Sequence, residues 1–199
     1  SIVIAGCLAQ RDGEKLLETT PARLIIGNQN RKNVVTLLQE AIRNGQRMAC
    51  VSDVLRIPYE PLTISAHEGH TRAVLKIQEG CDRYCSYCII PSVRGPVRSM
   101  PLEAVAAEAA RLGEAGYREI VVTGIHLASY GRGTNDTLMD AICAVHGAPG
   151  VRRVRLGSLE PVTVTEDVAR EASELPGLMR QFHLSLQSGS AGVLKRMRR

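Results

Sequence analysis

Apolar residues in the first quarter of the chain alternate between short runs and helical spacing. The run at residues 2–5 predicts a buried strand, and residues 24–26 predict a second one. Between residues 33 and 44 apolar positions recur three and four apart, and Gly45 follows as a stop signal. Strands separated by a helix favour a parallel sheet, so this part is predicted to be α/β.

The periodicity disappears between residues 56 and 72. This stretch holds Pro58 and Pro61 followed by a polar run, which is typical of a linker. His67 and His70 lie within it, and we assign them no role. The pattern therefore predicts an α/β domain at residues 1–55, a linker at 56–72 and a second domain at 73–199.

The second domain repeats a strand–helix pattern. Strands are predicted at residues 74–78, 120–123, 154–157 and 182–187, with amphipathic helices between and after them. Pro101 is expected in the first turn of one helix, Thr165 as the N-cap of another, and Gly189 at the opening of the last. Four consecutive βα units predict part of a TIM-type barrel, whose site lies at the carboxyl ends of the strands.

Polar residues share one face of three of these strands. Since strand side chains alternate, the apolar faces are expected against the outer helices and the polar faces in the lumen. A polar lumen favours a ligand-holding cavity, although an ordinary sheet with one wet face gives the same pattern. The polar positions are Lys76, Gln78, Arg153, Arg155, His183, Ser185 and Gln187.

Composition adds modest constraints. The 199 residues are 44% hydrophobic, enough for a sizeable core, and the net charge of +5 suits a polyanion such as RNA. A single Phe and no Trp argue against an RRM-type stacking surface. No apolar run approaches a membrane span, and six cysteines without a secretory signal favour a reducing cytoplasm. The chain opens without methionine in a strand and stops inside a predicted helix, so we expect a fragment of a longer protein.

Three cysteines are spaced C-x3-C-x2-C directly after the strand at residues 74–78. Cys81, Cys85 and Cys88 offer three thiolates, one ligand short of a closed tetrahedral site. Thiolates suit iron–sulfur clusters, so a four-iron cluster with one open iron is the favoured interpretation. Zinc with His67 or His70 as fourth ligand is the main alternative, and a disulfide framework fits a small secreted domain better. Cys50 and Cys143 are interpreted as small core residues.

The spacing is the signature of radical S-adenosylmethionine (SAM) enzymes, and longer motifs resemble their methylthiotransferase family. These motifs are residues 78–95 (QEGCDRYCSYCIIPSVRG), 123–131 (TGIHLASYG), 157–161 (GSLEP) and 184–190 (LSLQSGS). The segment 123–131 is most similar to members that act on threonylcarbamoyladenosine in tRNA. The nearest rival within the superfamily modifies a ribosomal protein, and a rival of another class is a non-catalytic zinc module.

The resemblance implies a specific chemistry. A reduced cluster on Cys81, Cys85 and Cys88 would cleave SAM to a radical that abstracts hydrogen from C2 of the modified adenosine, at tRNA position 37. Sulfur would come through a second cluster, giving two per full-length protein, and a second SAM would supply the methyl group. Cys7, in residues 6–10 (GCLAQ), resembles one ligand of that second cluster, whose other two cysteines are expected to precede Ser1. An electron donor such as a flavodoxin or ferredoxin is implied as a partner.

The resemblance also suggests cofactor-binding residues. Tyr87 resembles the aromatic position against the adenine of SAM, and Gly124 a position that lets the cofactor amino group approach. Ser185 and Gln187 are expected near the ribose or carboxylate, and Glu160 near the methionine moiety. No catalytic acid–base pair is expected, because the cofactors carry the difficult chemistry.

Overall fold

The computed structural model describes residues 1–56, 58–61 and 69–199. His67 and the central part of the predicted linker, residues 62–68, lie outside the described residues. The chain divides into two compact units. The first comprises Ser1–Leu62 and Tyr87–Pro96, and the second comprises Thr63–Ser86 and Val97–Arg199.

The first unit is built on a small parallel sheet. Its strands run in the order β1, β2, β3, with β2 fully buried in the centre. The predicted strands and the predicted helix at residues 33–44 are present. The helix of residues 7–19 was missed because polar side chains interrupt its apolar spacing. The elements are β1 (Val3–Ala5), α1 (Cys7–Thr19), β2 (Leu24–Ile26), α2 (Val34–Arg43), β3 (Met48–Cys50) and α3 (Ile90–Arg94).

The second unit carries a four-stranded sheet in the order β5, β4, β6, β7. Strands β4, β6 and β7 are parallel, and the short β5 pairs antiparallel with the end of β4. A sheet of parallel strands followed by helices is the predicted fold class. The elements are β4 (Ala73–Glu79), β5 (Arg98–Ser99), α4 (Leu102–Glu114), β6 (Glu119–Gly124), α5 (Leu138–His146), β7 (Arg153–Leu156), α6 (Glu166–Glu174) and α7 (Ala191–Met197).

The core of this unit lies between the sheet and helices α4 and α5. The predicted stripe of α4 is buried at Val105, Ala109 and Leu112. Pro101 occupies the N-cap position of this helix instead of lying in its first turn. Each fully buried Val or Leu side chain removed from water contributes about 1.5–3 kcal/mol. At α6 the Thr165 hydroxyl accepts a hydrogen bond from the Val168 N–H, as predicted for an N-cap.

Strand β4 departs from simple alternation. Its pairing with β6 shifts register by one residue between Lys76 and Gln78. As a result Ile77, Gln78 and Glu79 are buried in succession, and Gln78 does not share the partly exposed setting of Lys76. An extra residue in one strand re-aims the side chains that follow it.

The fourth predicted barrel strand, residues 182–187, does not form. Its pairing is reduced to an isolated parallel bridge between Leu184 and Leu159. Backbone bonds from Leu186 to Leu184 and from Ser188 to Leu186 curl the chain, and Gln187 adopts a φ of +65°. Tight turns of this kind cannot continue a ladder. The predicted burial of the apolar face fails as well, because Leu184 and Leu186 are exposed.

Two cysteines predicted to lie in the core do not. Cys143 is exposed because it lies off the buried stripe of α5, and Cys50 is half-buried on β3. Burial, aided by the nearby charge of Glu40, raises the pKa of the Cys50 thiol.

Candidate functional site

Three cysteines lie within eight residues of the loop that follows β4. Cys85 is buried, whereas Cys81 and Cys88 are half-buried, and none forms a disulfide. Gly80, which opens the loop, has a φ of +75°, and Tyr84 has a φ of +49°. Cys81 and Cys85 belong to the second unit, and Cys88 belongs to the segment that groups with the first.

Near the end of β4 lies a buried glutamine, Gln78, whose side-chain donors and acceptor all form hydrogen bonds. Gln78 Nε2 donates to the carbonyls of Glu79 and Gly80, each at 2.8 Å. Its Oε1 accepts a hydrogen bond from the His126 backbone N–H at 2.6 Å. Gln78 therefore joins the start of the cysteine loop to the segment that follows β6.

Glu160, four residues after β7, is a buried carboxylate in contact with three basic side chains. Arg83 Nη2 lies 3.0 Å from Oε2, and His126 Nε2 lies 2.9 Å from the same oxygen. Arg199 Nη2 lies 2.6 Å from Oε1. Since Arg83 is in the cysteine loop, Glu160 ties that loop to the ends of β6 and β7.

These contacts set the charge of the carboxylate. Burial alone would raise the pKa of Glu160, but the hydrogen bond with His126 and the charges of His126, Arg199 and Arg83 outweigh it and lower the pKa below its ordinary value. Glu160 is therefore ionised at neutral pH. A buried anion at the carboxyl edge of the sheet can bind a cationic or hydrogen-bond-donating group of a ligand.

Further contacts to the loop come from the end of α7. The Ser86 N–H donates to the carbonyl of Met197 at 3.0 Å, and the Ser86 hydroxyl donates to that of Arg196 at 3.1 Å. Arg199 Nη1 lies 3.9 Å from Cys85 Sγ. Together with an ion pair between Asp82 and Arg132, they restrain the loop on several sides.

The predicted cofactor-binding residues occupy different settings. Gly124 ends β6, where a Cβ would lie 2.8 Å from Gln78 Cβ and 2.9 Å from Gln78 Oε1, so its small size already has a packing reason. The Ser185 N–H donates to the Leu159 carbonyl at 2.8 Å, which places Ser185 beside the Glu160 segment. Gln187 is exposed in a turn, and Tyr87 is 55% exposed in the segment that groups with the first unit. Their cofactor roles stay predictions.

Two of the polar strand positions serve another purpose. Arg153 Nε and Arg155 Nε each lie 3.0 Å from Glu119, at the opposite end of the sheet from the cysteine loop. Burial would raise the pKa of Glu119, but hydrogen bonds and charge from Arg155 and Arg153 lower it overall. These arginines neutralise the buried carboxylate of Glu119. The alternation of polar and apolar residues along the strand does not reveal this pairing.

Cys7 is the first residue of α1 in the other unit. Its Sγ accepts hydrogen bonds from Arg94 Nε at 3.2 Å and from Asn28 Nδ2 at 3.6 Å. Asn28 is buried and also donates to the Val93 carbonyl at 2.8 Å. Two N–H donors of the same unit therefore point at the Cys7 sulfur.

The candidate metal ligands are the three loop cysteines and the histidine upstream of them in the chain, His70. Among the described residues no three His, Cys, Asp or Glu side chains converge as a preassembled metal site, and this includes the exposed His70. Three cysteine sulfurs on one loop are nonetheless the ligands that iron–sulfur clusters take. The residues fit such a group by their chemistry.

A cavity of about 500 Å³ lies elsewhere in the second unit, between α5, α6 and the end of β7. It is lined mainly by apolar side chains such as Ile142, Leu156 and Phe182. No predicted cofactor-binding residue lines it. Within the described part of the chain, no helix is long and apolar enough to cross a membrane.

Comparisons with known proteins agree with the loop chemistry. The family model described as Radical SAM superfamily matches residues 75–199. The chain is 35% identical, over its whole length, to the threonylcarbamoyladenosine tRNA methylthiotransferases MtaB of Bacillus subtilis (strain 168) and of Thermotoga maritima, and it spans 45% of each.

Among solved structures, the chain resembles the radical S-adenosylmethionine methyltransferase TsrM from Kitasatospora setae. The TM-score is 0.66 at 16% identity, covering 96% of this chain and 42% of TsrM, a likeness of fold alone. The match of the Radical SAM model over more than half of the sequence, from β4 through the cysteine loop to Arg199, shows that the chain belongs to the radical SAM superfamily.

Proposed function

We propose that this chain is part of a radical SAM methylthiotransferase that adds a methylthio group to C2 of N6-threonylcarbamoyladenosine at position 37 of tRNA. The observation that carries the proposal is the 35% identity to two MtaB enzymes along the entire chain, which includes the cysteine loop. The chain spans about half the length of these relatives, so activity and substrate are inferred for the whole protein.

Cys81, Cys85 and Cys88 would hold a four-iron cluster beside the SAM site. When bound, this cluster would supply the electron for the reductive cleavage of SAM. A flavodoxin or ferredoxin is the expected source of that electron. We place the whole protein in the cytoplasm, where its tRNA substrate and a reducing environment are found.

The chain's own residues would bind and orient the cofactor. Glu160 is ionised and buried, so it can accept a hydrogen bond from a donor on the methionine or ribose part of SAM. Ser185 lies beside the Glu160 segment through the bridge of Leu184 with Leu159. Tyr87 would lie against the adenine, Gly124 would admit the amino group, and Gln187 would contact the ribose or carboxylate.

Cys7 would be one ligand of a second cluster that delivers sulfur, so that the full-length protein holds two. Arg94 and Asn28 already direct N–H groups at its sulfur. Hydrogen bonds to cluster sulfurs are among the features that set reduction potential, so these residues suit a redox-active ligand.

Nucleoside analysis of tRNA tests the substrate. Cells that lack the full-length protein should lose the 2-methylthio group from threonylcarbamoyladenosine and regain it on complementation. Unchanged tRNA together with loss of a methylthio group from a ribosomal protein would assign the rival substrate. Stoichiometric zinc, with no broad absorption near about 400 nm after anaerobic reconstitution, would favour the structural zinc module.

A further inference from the structure

A closed ring of polar contacts joins the three loops at the carboxyl ends of β4, β6 and β7. Gln78 bonds to the Gly80 carbonyl and to the His126 backbone, His126 contacts Glu160, and Glu160 contacts Arg83. Arg83 lies in the same loop as Gly80, which closes the circuit. We call these four side chains, Gln78, His126, Glu160 and Arg83, the loop ring.

Gln78 is the least replaceable member of the loop ring. Its side chain is 0% exposed, and both amide donors and the amide acceptor are satisfied by backbone groups. An apolar replacement would leave buried carbonyls and an N–H without partners, which costs about 1–3 kcal/mol for each group that water cannot reach. A shorter amide would not span the same distance.

The surrounding backbone is shaped around this amide. The register shift in β4 turns Gln78 into the buried layer, and Gly124 leaves the space that the side chain fills. A Cβ at position 124 would lie 2.8 Å from Gln78 Cβ, closer than atoms pack. Two independent backbone features therefore accommodate one polar side chain.

Gln78 also acts at the point where the regular ladder stops. Strand β4 ends at Glu79, and the loop that carries the three thiols begins with Gly80. Fixing the carbonyls of Glu79 and Gly80 sets the direction in which the loop leaves the sheet. The bond from the His126 N–H to Gln78 Oε1 sets the same loop against the segment after β6.

We propose that Gln78 is a positioning residue. It orients the cysteine loop relative to Glu160, so that SAM binds in the correct position beside the cluster. This inference rests on the proposed function only in assigning a cluster to Cys81, Cys85 and Cys88. It assigns Gln78 no contact with SAM. The effect passes through the backbone of Gly80 and His126.

The test compares Gln78→Met with the unmodified full-length protein after anaerobic reconstitution. Met has similar length but makes none of the three hydrogen bonds of Gln78, so iron content should be preserved while SAM affinity falls about tenfold or more, because the loop loses its fixed orientation. Equilibrium dialysis with SAM gives the affinity. The change that SAM causes in the EPR spectrum of the reduced cluster should also diminish.

Val122→Ala is the matched control, because Val122 is equally buried on the neighbouring strand and lies outside the loop ring. Its truncation should cost about 1–3 kcal/mol of folding stability without changing SAM affinity. A similar loss of affinity in both variants would overturn the inference, since general destabilisation would then explain the result.

Gln78→Glu covers the case in which the Met variant does not fold. It is isosteric and keeps an acceptor for the His126 N–H, but a carboxyl group has one donor when protonated and none when ionised, so at least one of the two carbonyls loses its partner. The same loss of SAM affinity is expected. If Gln78→Glu binds SAM as tightly as the unmodified protein, the positioning role is wrong, whereas absence of cluster and SAM binding in the unmodified protein would refute the proposed function instead.

Discussion

The two cysteine-bearing regions of this chain are organised in different ways. Cys7 is fixed by regular secondary structure, at the first residue of α1, and its sulfur receives hydrogen bonds from Arg94 and Asn28. In the loop of Cys81 and Cys85, the hydrogen bonds and ion pairs described above fall largely on the backbone and on Arg83. In the first region two described donors point at one sulfur, and in the second most of the described contacts hold the backbone of a loop that carries sulfurs.

This difference matches what each region is proposed to do. A loop held by its backbone can rearrange its thiols around a cluster while keeping its direction relative to Glu160. A sulfur held by specific donors has its electronic environment set in advance. Substitutions confined to one region at a time distinguish the two proposed roles.

Loss of a loop cysteine should have the largest effect. Replacing Cys81, Cys85 or Cys88 by Ala should abolish cluster assembly and reductive cleavage of SAM, because three ligands already leave one iron open. Iron per protein and 5′-deoxyadenosine formation are the measurements. Cys143→Ala is the control, since Cys143 is exposed on α5, and it should leave both unchanged. Retention of the cluster in Cys85→Ala would show that the ligand assignment is wrong.

Replacement of Cys7 should separate the two regions. In the full-length protein Cys7→Ala is expected to keep SAM cleavage and to stop methylthio product formation, because Cys7 resembles a ligand of the other cluster. Mass spectrometry of the nucleoside product and of 5′-deoxyadenosine gives both readouts. Product at normal yield would contradict the two-cluster mechanism.

A smaller, pH-dependent effect is expected at Glu160. Because its pKa in the folded state lies below the ordinary 4.5, its contribution to stability is full above pH 4.5 and is lost as the pH falls through the folded value. Glu160→Gln should lower the free energy of unfolding by about 1–3 kcal/mol at neutral pH and flatten its decline in acid. Urea unfolding between about pH 6 and 3 measures this.

Asn28→Ala provides the comparison from the other region. It removes the donor to the Val93 carbonyl, which should also cost about 1–3 kcal/mol, but a neutral amide adds no pH dependence. Its stability curve should therefore run parallel to that of the unmodified protein. If the Glu160→Gln curve also runs parallel, the ion pairs around Glu160 do not contribute as described.

Much of the fold follows from local sequence patterns. Apolar spacing locates α4, and the N-cap of α6 is predicted from Thr165 alone. The strand predicted at residues 182–187 is wrong because pattern alone does not show that the chain turns at Gln187. The short β5 escapes prediction because two residues carry no periodicity.

The candidate site was predictable only in part. The cysteine spacing identifies the loop, and motif resemblance singles out Glu160. The partners of Glu160 were missed, since Arg83 is 77 positions away and no local rule links them. Gln78 carried a usable signal, because a glutamine near the end of a buried strand requires hydrogen-bond partners.

The register shift in β4 decides to which face of the sheet the following side chains of the strand point. Side chains of a strand point alternately to its two faces, so one residue more or less before the loop rotates the remainder by half a turn. Ile77 is that residue here, as the pairing passes from Lys76–Thr123 to Gln78–Gly124. The extra residue places Gln78 on the face of Gly124, whereas uninterrupted alternation along β4 would place it on the same face as Lys76. A single irregular step in a seven-residue strand thus decides from which face of the sheet Gln78 holds the start of the cysteine loop.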